Sequence, residues 1–231
     1  MHLEVTKVRL HSLKDFAKHY LMIVLSILTA LGLEAWIEHS HRTHAANAAS
    51  QRIEAEIRTN LSETRTSLHQ DTEQLKRLSE IRKAVIDNLK SGVADDTIKQ
   101  RILALTKDRF DLNLSFPTLR HEAWDVSVAN QAASWMEDDR LQRYAAAYAN
   151  QRDSITNMTE NTTILMSGSR LVDTVADLQT NEVQPREFLH VVSQMIAIQQ
   201  QTVNALGALE KQLMTALPND GAADTKPSPA S

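Results

Sequence analysis

The sequence predicts an all-α chain: one N-terminal transmembrane helix, then an elongated up-down helical bundle with a short helical cap. Three observations lead there. Five Gly and five Pro in 231 residues are roughly a third of the usual share, so little interrupts a helix. Hydrophobic residues make up 42% of the chain and aromatics only 4%, a composition that suits packed helices better than a sheet. The run from Tyr20 to Leu33 holds fourteen residues without a charge.

Composition also excludes. There is no cysteine, so disulfide frameworks, thiolate metal sites and cysteine nucleophiles are ruled out. A net charge of -4 with scattered Lys and Arg leaves no basic stripe to follow a phosphate backbone, and nucleic acid is not an expected partner. The chain contains no Gly-rich phosphate loop, nucleophile elbow or His-Glu-x-x-His zinc motif, so no enzymatic activity, cofactor, catalytic residue or resident metal is expected.

Residues 1–19 form a short tail and residues 20–37 the expected membrane span. Extended to Phe16–Ile37, the apolar stretch covers 22 residues with Lys18, His19 and Glu34 as its polar intrusions, long enough for a hydrocarbon core of about 30 Å. Tyr20 and Trp36 bracket it as an interfacial aromatic pair, and Glu34 and Glu38 mark its outer boundary. Four cationic residues precede it (Lys7, Arg9, Lys14, Lys18) and only Arg42 and Arg52 fall in the fifteen residues after Ile37. That bias predicts a cytoplasmic N-terminus and a periplasmic C-terminal domain in a bacterial inner membrane. The competing reading is a cleaved signal peptide. Its small-x-small triplet, Ala46-Asn47-Ala48, puts the cleavage site fifteen residues beyond the apolar run, further than signal peptidase normally works.

Residues 38–217 form the expected extramembrane domain. Ile53, Ile57, Leu61, Leu68, Leu75, Leu78, Ile81, Val85 and Leu89 recur at spacings of three, four and seven with no Gly or Pro between Gly32 and Gly92. This is a helical stripe, narrowed where Thr64 and Asp71 occupy seam positions. Glu54–Arg58 and Glu73–Arg77 read as a solvated face. Asp95 and Asp96 are positioned to cap a short helix through Lys107. Phe110 to Phe116 alternate with period two and, lacking a partner strand, predict an extended, half-buried connector. Pro117 ends it and is placed to open a helix from Thr118 carrying Ala123, Trp124, Val128 and Ala132 inward.

A further helix from Asp138 presents Leu141, Tyr144, Ala145, Tyr148, Ile155, Met158, Leu165, Leu171, Val175 and Leu178, with a bend at Gly168. The last begins at Pro185, with Leu189, Val192, Ile196, Val203, Leu206 and Leu213 as its stripe. Residues 218–231 carry too little apolar surface to fold and are expected to be disordered. In this scheme the short helical elements close the end of the bundle far from the membrane.

Two clusters are candidates for function. Trp124, Trp135, Tyr144 and Tyr148 share a window of 25 residues; they are the expected partner or ligand region, flanked by His121, Glu122 and Asp125, although packed core is the plainer reading. His39, His41 and His44 beside Glu38 have a usable i,i+3 pair but no recognisable fourth ligand, so a polar collar outweighs a metal-dependent hydrolase site. Asn60, Asn113, Asn157 and Asn161 each head an Asn-x-Ser/Thr sequon, relevant only in a glycosylating host.

The segments Ala30–Glu38 (ALGLEAWIE) and Phe116–Gln151 (FPTLRHEAWDVSVANQAASWMEDDRLQRYAAAYANQ) resemble an uncharacterised bacterial family of single-span membrane proteins with a helical extramembrane domain. Where relatives often carry a Ser-Gly, this chain has Asn130-Gln131. The resemblance implies the fold and location already read from the residues, and no mechanism. The expected function is partner binding on the periplasmic side, with the lipid bilayer, an unidentified protein and a second copy of the chain as partners. The alternative is a small-ligand sensor that signals through a separate protein.

Overall fold

The computed structural model describes residues 13–107, 110, 114–166 and 169–218. The expectations for residues 1–12, for Leu112, for the Leu165 side chain, for a bend at Gly168 and for the tail after Pro218 lie outside the described residues. Within them every regular element is helical: α1 (Leu13–Lys90), α2 (Asp95–Thr106), α3 (Glu122–Ala129), a 3₁₀ turn (Ala132–Trp135), α4 (Asp138–Met166), α5 (Ser169–Thr180) and α6 (Pro185–Ala216).

Helix α1 has 78 residues, about 117 Å at 1.5 Å per residue. It carries both the apolar run and the start of the following domain without a break. Among the described residues it is the one helix long and apolar enough to cross a membrane. Its large apolar side chains from Phe16 to Ile37 are exposed, Val24 only partly.

From Ala46 to Val85 every residue of a strict four-three alternation on α1 is buried. Its members are Ala46, Ser50, Ile53, Ile57, Asn60, Thr64, Ser67, Asp71, Gln74, Leu78, Ile81 and Val85. The seam is therefore a regular heptad. Leu68, Leu75 and Leu89 flank it, only partly buried. Helix α6 repeats the pattern with Phe188, Val192, Met195, Gln199, Thr202, Leu206, Leu209, Leu213 and Ala216, and α4 with Tyr144, Ala147, Gln151, Ser154 and Met158. Ile155, expected inward, is exposed, because the centre of the α4 stripe runs through Gln151 and Ser154.

The packing has two apolar cores. One joins Ala46–Leu61 of α1 to Tyr144–Tyr148 of α4 and Leu209–Ala216 of α6. The other joins Leu78–Val85 to Ile98 and Ile102 of α2 and Phe188–Ile198 of α6. Helix α6 thus runs antiparallel to α1. Contacts from Ser50 to Arg140 and from Asn60 to Gln151 show that α4 runs parallel to it. Between the cores lies a polar waist formed by Asn60, Thr64, Ser67, Asp71 and Gln74 with Gln151, Ser154, Gln199 and Thr202. The hydroxyls of Thr64 and Thr202 donate to carbonyls one turn back on their own helices, which leaves the amides and Asp71 to find partners elsewhere.

Gly92 ends α1 with a φ of +66°. Its N–H donates to the Leu89 carbonyl, and the Val93 N–H donates to Asn88, the paired bonds of a Schellman motif. A Cβ here would meet nothing within 4 Å, so only the backbone demands glycine. Gly92→Ala is expected to lower unfolding stability by about 1 kcal/mol, measured by thermal melting in detergent; an unchanged melt would refute the strain argument.

Three local expectations are corrected. Asp95 and Asp96 do not cap α2: Ala94 is the N-cap residue without a side-chain bond, and the two acids sit in the first turn, where they complement the helix dipole. The next helix starts at Glu122, not Thr118, and Pro117 does not open it. The reason is that both backbone polar groups of Arg120 bond to α1 and are not free for a helix. Val128 is exposed instead of buried.

The short elements do not all close the far end. Helix α2 does, but the connector then returns along α1. Ser115 bonds Asp71 and Arg120 bonds Asn60: five extended residues span about 17 Å, and so do the eleven helical residues opposite them. The connector therefore runs alongside α1, and α3 and the 3₁₀ turn come to lie on its proximal part, the part next to the apolar run.

Candidate functional site

The candidate residues converge on that proximal part of α1. Trp124 stacks on Tyr148 with ring centres 5.4 Å apart and planes 19° apart. Tyr144 and Tyr148 are buried; their phenols donate to Glu54 at 2.8 Å and to Glu56 at 2.5 Å. Burial first, then the neighbouring Glu54 carboxylate, pushes the Tyr144 phenol up to about 12. Tyr148 is raised by burial and by Glu56 in the same way. Both therefore stay protonated across the ordinary pH range and serve as hydrogen-bond donors.

Glu54 is more than part of a solvated face, and Glu56 works beside it. Glu54 accepts from Tyr144 as well as pairing with Arg58 at 3.5 Å. Glu56 accepts from Tyr148 with one oxygen and, with the other, from the backbone N–H of Ala123 at 2.9 Å. That N–H is one of the unpaired donors of the first turn of α3, so Glu56 supplies a cap from a different helix.

Beside them sits a clamp that the sequence reading missed. Asn60 accepts the Arg120 N–H at 2.9 Å and donates to its carbonyl at 2.7 Å. Gln151 donates to the same carbonyl at 2.8 Å and accepts from Asn60 at 3.0 Å. Asn60 pairs with the connector as a neighbouring strand would. Its burial is complete, so its sequon is not open to glycosylation in the folded chain. The signal for the clamp was present: continuing the alternation from Ile53 and Ile57 lands on Asn60, Thr64, Ser67, Asp71 and Gln74.

Further along the connector, Asp71 accepts the Ser115 N–H at 2.9 Å, and Gln199 donates to the Asp71 backbone carbonyl at 3.4 Å. The second carboxylate oxygen of Asp71 and the Gln199 side-chain oxygen are buried without a partner. Burial raises the Asp71 carboxyl above its usual range, against the opposing pull of the Ser115 N–H and Gln199.

Trp135 lies at the proximal edge, 37% exposed, with the Arg42 guanidinium 5.8 Å from its ring centre. Arg42 in turn bonds Glu38 at 2.7 Å. Tyr20, Glu34, Trp36 and Glu38 are all exposed on α1, and Tyr20 stacks on Phe16 at 6.5 Å. His39, His41 and His44 are exposed on the same helix; among the described residues no three ligand-type side chains converge on a metal position. His121 pairs with Asp125 at 2.7 Å on the surface, and that contact raises the imidazole. Glu122 joins Arg52, Ala123 and Val126 around a cleft of about 200 Å³. A larger one, about 570 Å³, lies between α2 and α5, lined by Leu103, Lys107, Phe110 and Leu178.

Compared with protein-family models, curated proteins and solved structures, the chain matches none of them.

Proposed function

We propose that the chain is a membrane-anchored, non-enzymatic helical protein that binds a partner on the periplasmic side of a bacterial inner membrane. The observation that carries this reading is the exposed apolar sleeve from Phe16 to Ile37 on a helix that continues into the packed domain. Water would oppose such a surface, whereas a bilayer would cover it. A retained anchor fits the burial of Ala46 in the proximal core, since cleavage at its triplet would cut α1 inside that core.

The domain belongs to the same proposal, as an elongated up-down bundle held off the membrane by α1. So does the resemblance to bacterial single-span proteins. Partner binding is favoured over catalysis because the polar side chains of the candidate region spend their hydrogen bonds on packing: the tyrosines on Glu54 and Glu56, and Asn60 and Gln151 on the connector. A protein partner or a second copy of the chain would then meet exposed groups such as Val126 and Val128.

Alkaline washing of membranes, with protease access to the C-terminus in spheroplasts, tests the anchor and its direction. Full-length protein that resists washing and is digested from outside is the expected result. A shortened soluble species would overturn the anchor, and a protected C-terminus would reverse the topology.

The cleft between α2 and α5 favours one second reading, a ligand sensor. A ligand at a hundredfold its dissociation constant adds about 2.7 kcal/mol to stability, so a thermal-shift screen of small anions, amino acids and peptides separates the two readings.

A further inference from the structure

Trp135 lies close to the proposed boundary of the span for a geometric reason. Arg42 bends back along α1 to bond Glu38, the first residue after the apolar stretch, and its guanidinium sits 5.8 Å from the Trp135 ring centre. Side chains on a helix tilt toward its N-terminus, so the charged group lies between the levels of residues 38 and 42. Those two Cα atoms are about 6 Å apart along the axis, and the headgroup layer of one leaflet is about 5–7 Å thick. The ring centre, 5.8 Å from that group, therefore lies in that layer or at its edge.

We propose that Trp135, carried by the 3₁₀ turn after α3, is a second membrane contact that inserts in the phospholipid headgroup layer beside α1. The inference rests on the anchored reading above. An indole with an apolar face and an N–H donor suits that layer, and Arg42 holds the ring from the α1 side. Nearness to the sleeve, whose last residue Ile37 stands about 7.5 Å from Arg42 along α1, singles out lipid as the occupant. The neighbouring Glu137, Asp138 and Asp139 make a zwitterionic headgroup a better match than an anionic one. The consequence is mechanical: a single helix can tilt and rotate, whereas two contacts fix the domain's orientation to the membrane.

The test uses the full chain in phosphatidylcholine vesicles containing a headgroup-region nitroxide quencher. Two of the three Trp residues are replaced by Phe at a time, to leave Trp36, Trp124 or Trp135. Trp124 is the internal control, because it packs at the level of Glu56, about 20 Å further out along α1 than Arg42. The expected result is quenching of Trp135 comparable with that of Trp36 and several-fold above that of Trp124. Quenching of Trp36 with Trp135 as weak as Trp124 would overturn the second contact and leave the anchor standing. An unquenched Trp36 would remove the anchored reading and this inference with it. Should loss of Trp124 disturb folding, Trp135→Cys in this cysteine-free chain carries a spin label that keeps the Trp124–Tyr148 stack. Protection of that label from an aqueous nickel chelate, relative to one at the exposed position of His69, supports insertion, and equal accessibility refutes it.

Discussion

Asn60→Ala is expected to lower the unfolding free energy by about 3 kcal/mol, measured by denaturant titration in detergent. The substitution removes a donor and an acceptor at once. The Arg120 N–H and the Gln151 side-chain oxygen lose their Asn60 partner, and a buried group left unpaired, as the Gln151 oxygen is, costs about 1–3 kcal/mol. Arg120 keeps one bond, from Gln151 to its carbonyl, so the connector loosens without losing every tie. Amide exchange at Arg120 should rise by a far larger factor than exchange in the distal core around Phe188. Gln151→Ala should cost less than the two single changes would suggest when combined with Asn60→Ala, because both act on one carbonyl. A loss below about 1 kcal/mol would mean that water replaces the clamp readily and that the connector is not fastened there.

Asp71→Asn is expected to do the opposite and stabilise the protein at pH 7 by about 1–2 kcal/mol. As a carboxylate, Asp71 buries a charge with one of its oxygens left without a donor. An amide keeps an oxygen for the Ser115 N–H and removes the buried charge. The pH dependence has a definite sign. Burial raises the folded-state carboxyl above its unfolded value, so folding favours the protonated form. The contribution of this group to stability is therefore full below the unfolded value of about 3.9. It declines as pH rises toward the raised folded value and stays low above it. Asp71→Asn should flatten that part of the stability profile. Its advantage over the wild type should be largest at neutral pH and vanish near pH 3. A variant less stable than the wild type at pH 7 would show that the charged carboxylate is itself needed in the waist.

The helical class, the long first helix and its end at Gly92 were legible because each depends on neighbours in sequence. Without Gly or Pro between Gly32 and Gly92, nothing locally interrupts the backbone hydrogen bonds of α1. The start of the final helix at Pro185 and much of its stripe were legible for the same reason: Val192, Ile196, Leu206 and Leu213 are all buried. The centre of the α1 seam was harder to read. Leu61, Leu68 and Leu75 attract the eye, yet the central positions beside them are Asn60, Ser67 and Gln74. Hydrophobicity marks a seam only where the seam faces apolar groups, and here it faces the backbone of a connector.

The candidate region divides in the same way. The aromatic window could be located from composition, but its direction could not. Trp124, Tyr144 and Tyr148 pack on the proximal half of α1 because the connector doubles back, and no local signal announces that reversal. Glu56 acquires its role only when α3 arrives with an unpaired N–H sixty-seven residues away. By itself the sequence determined the helical class, the end of α1 at Gly92, the start of α6 at Pro185 and the apolar sleeve, since propensity, capping and periodicity are local physics. Only the tertiary structure decided which polar residues are buried, and at which end of the domain the tryptophans lie. A buried amide is tolerated only where a distant backbone satisfies it, and the partner is known only once the chain has folded back.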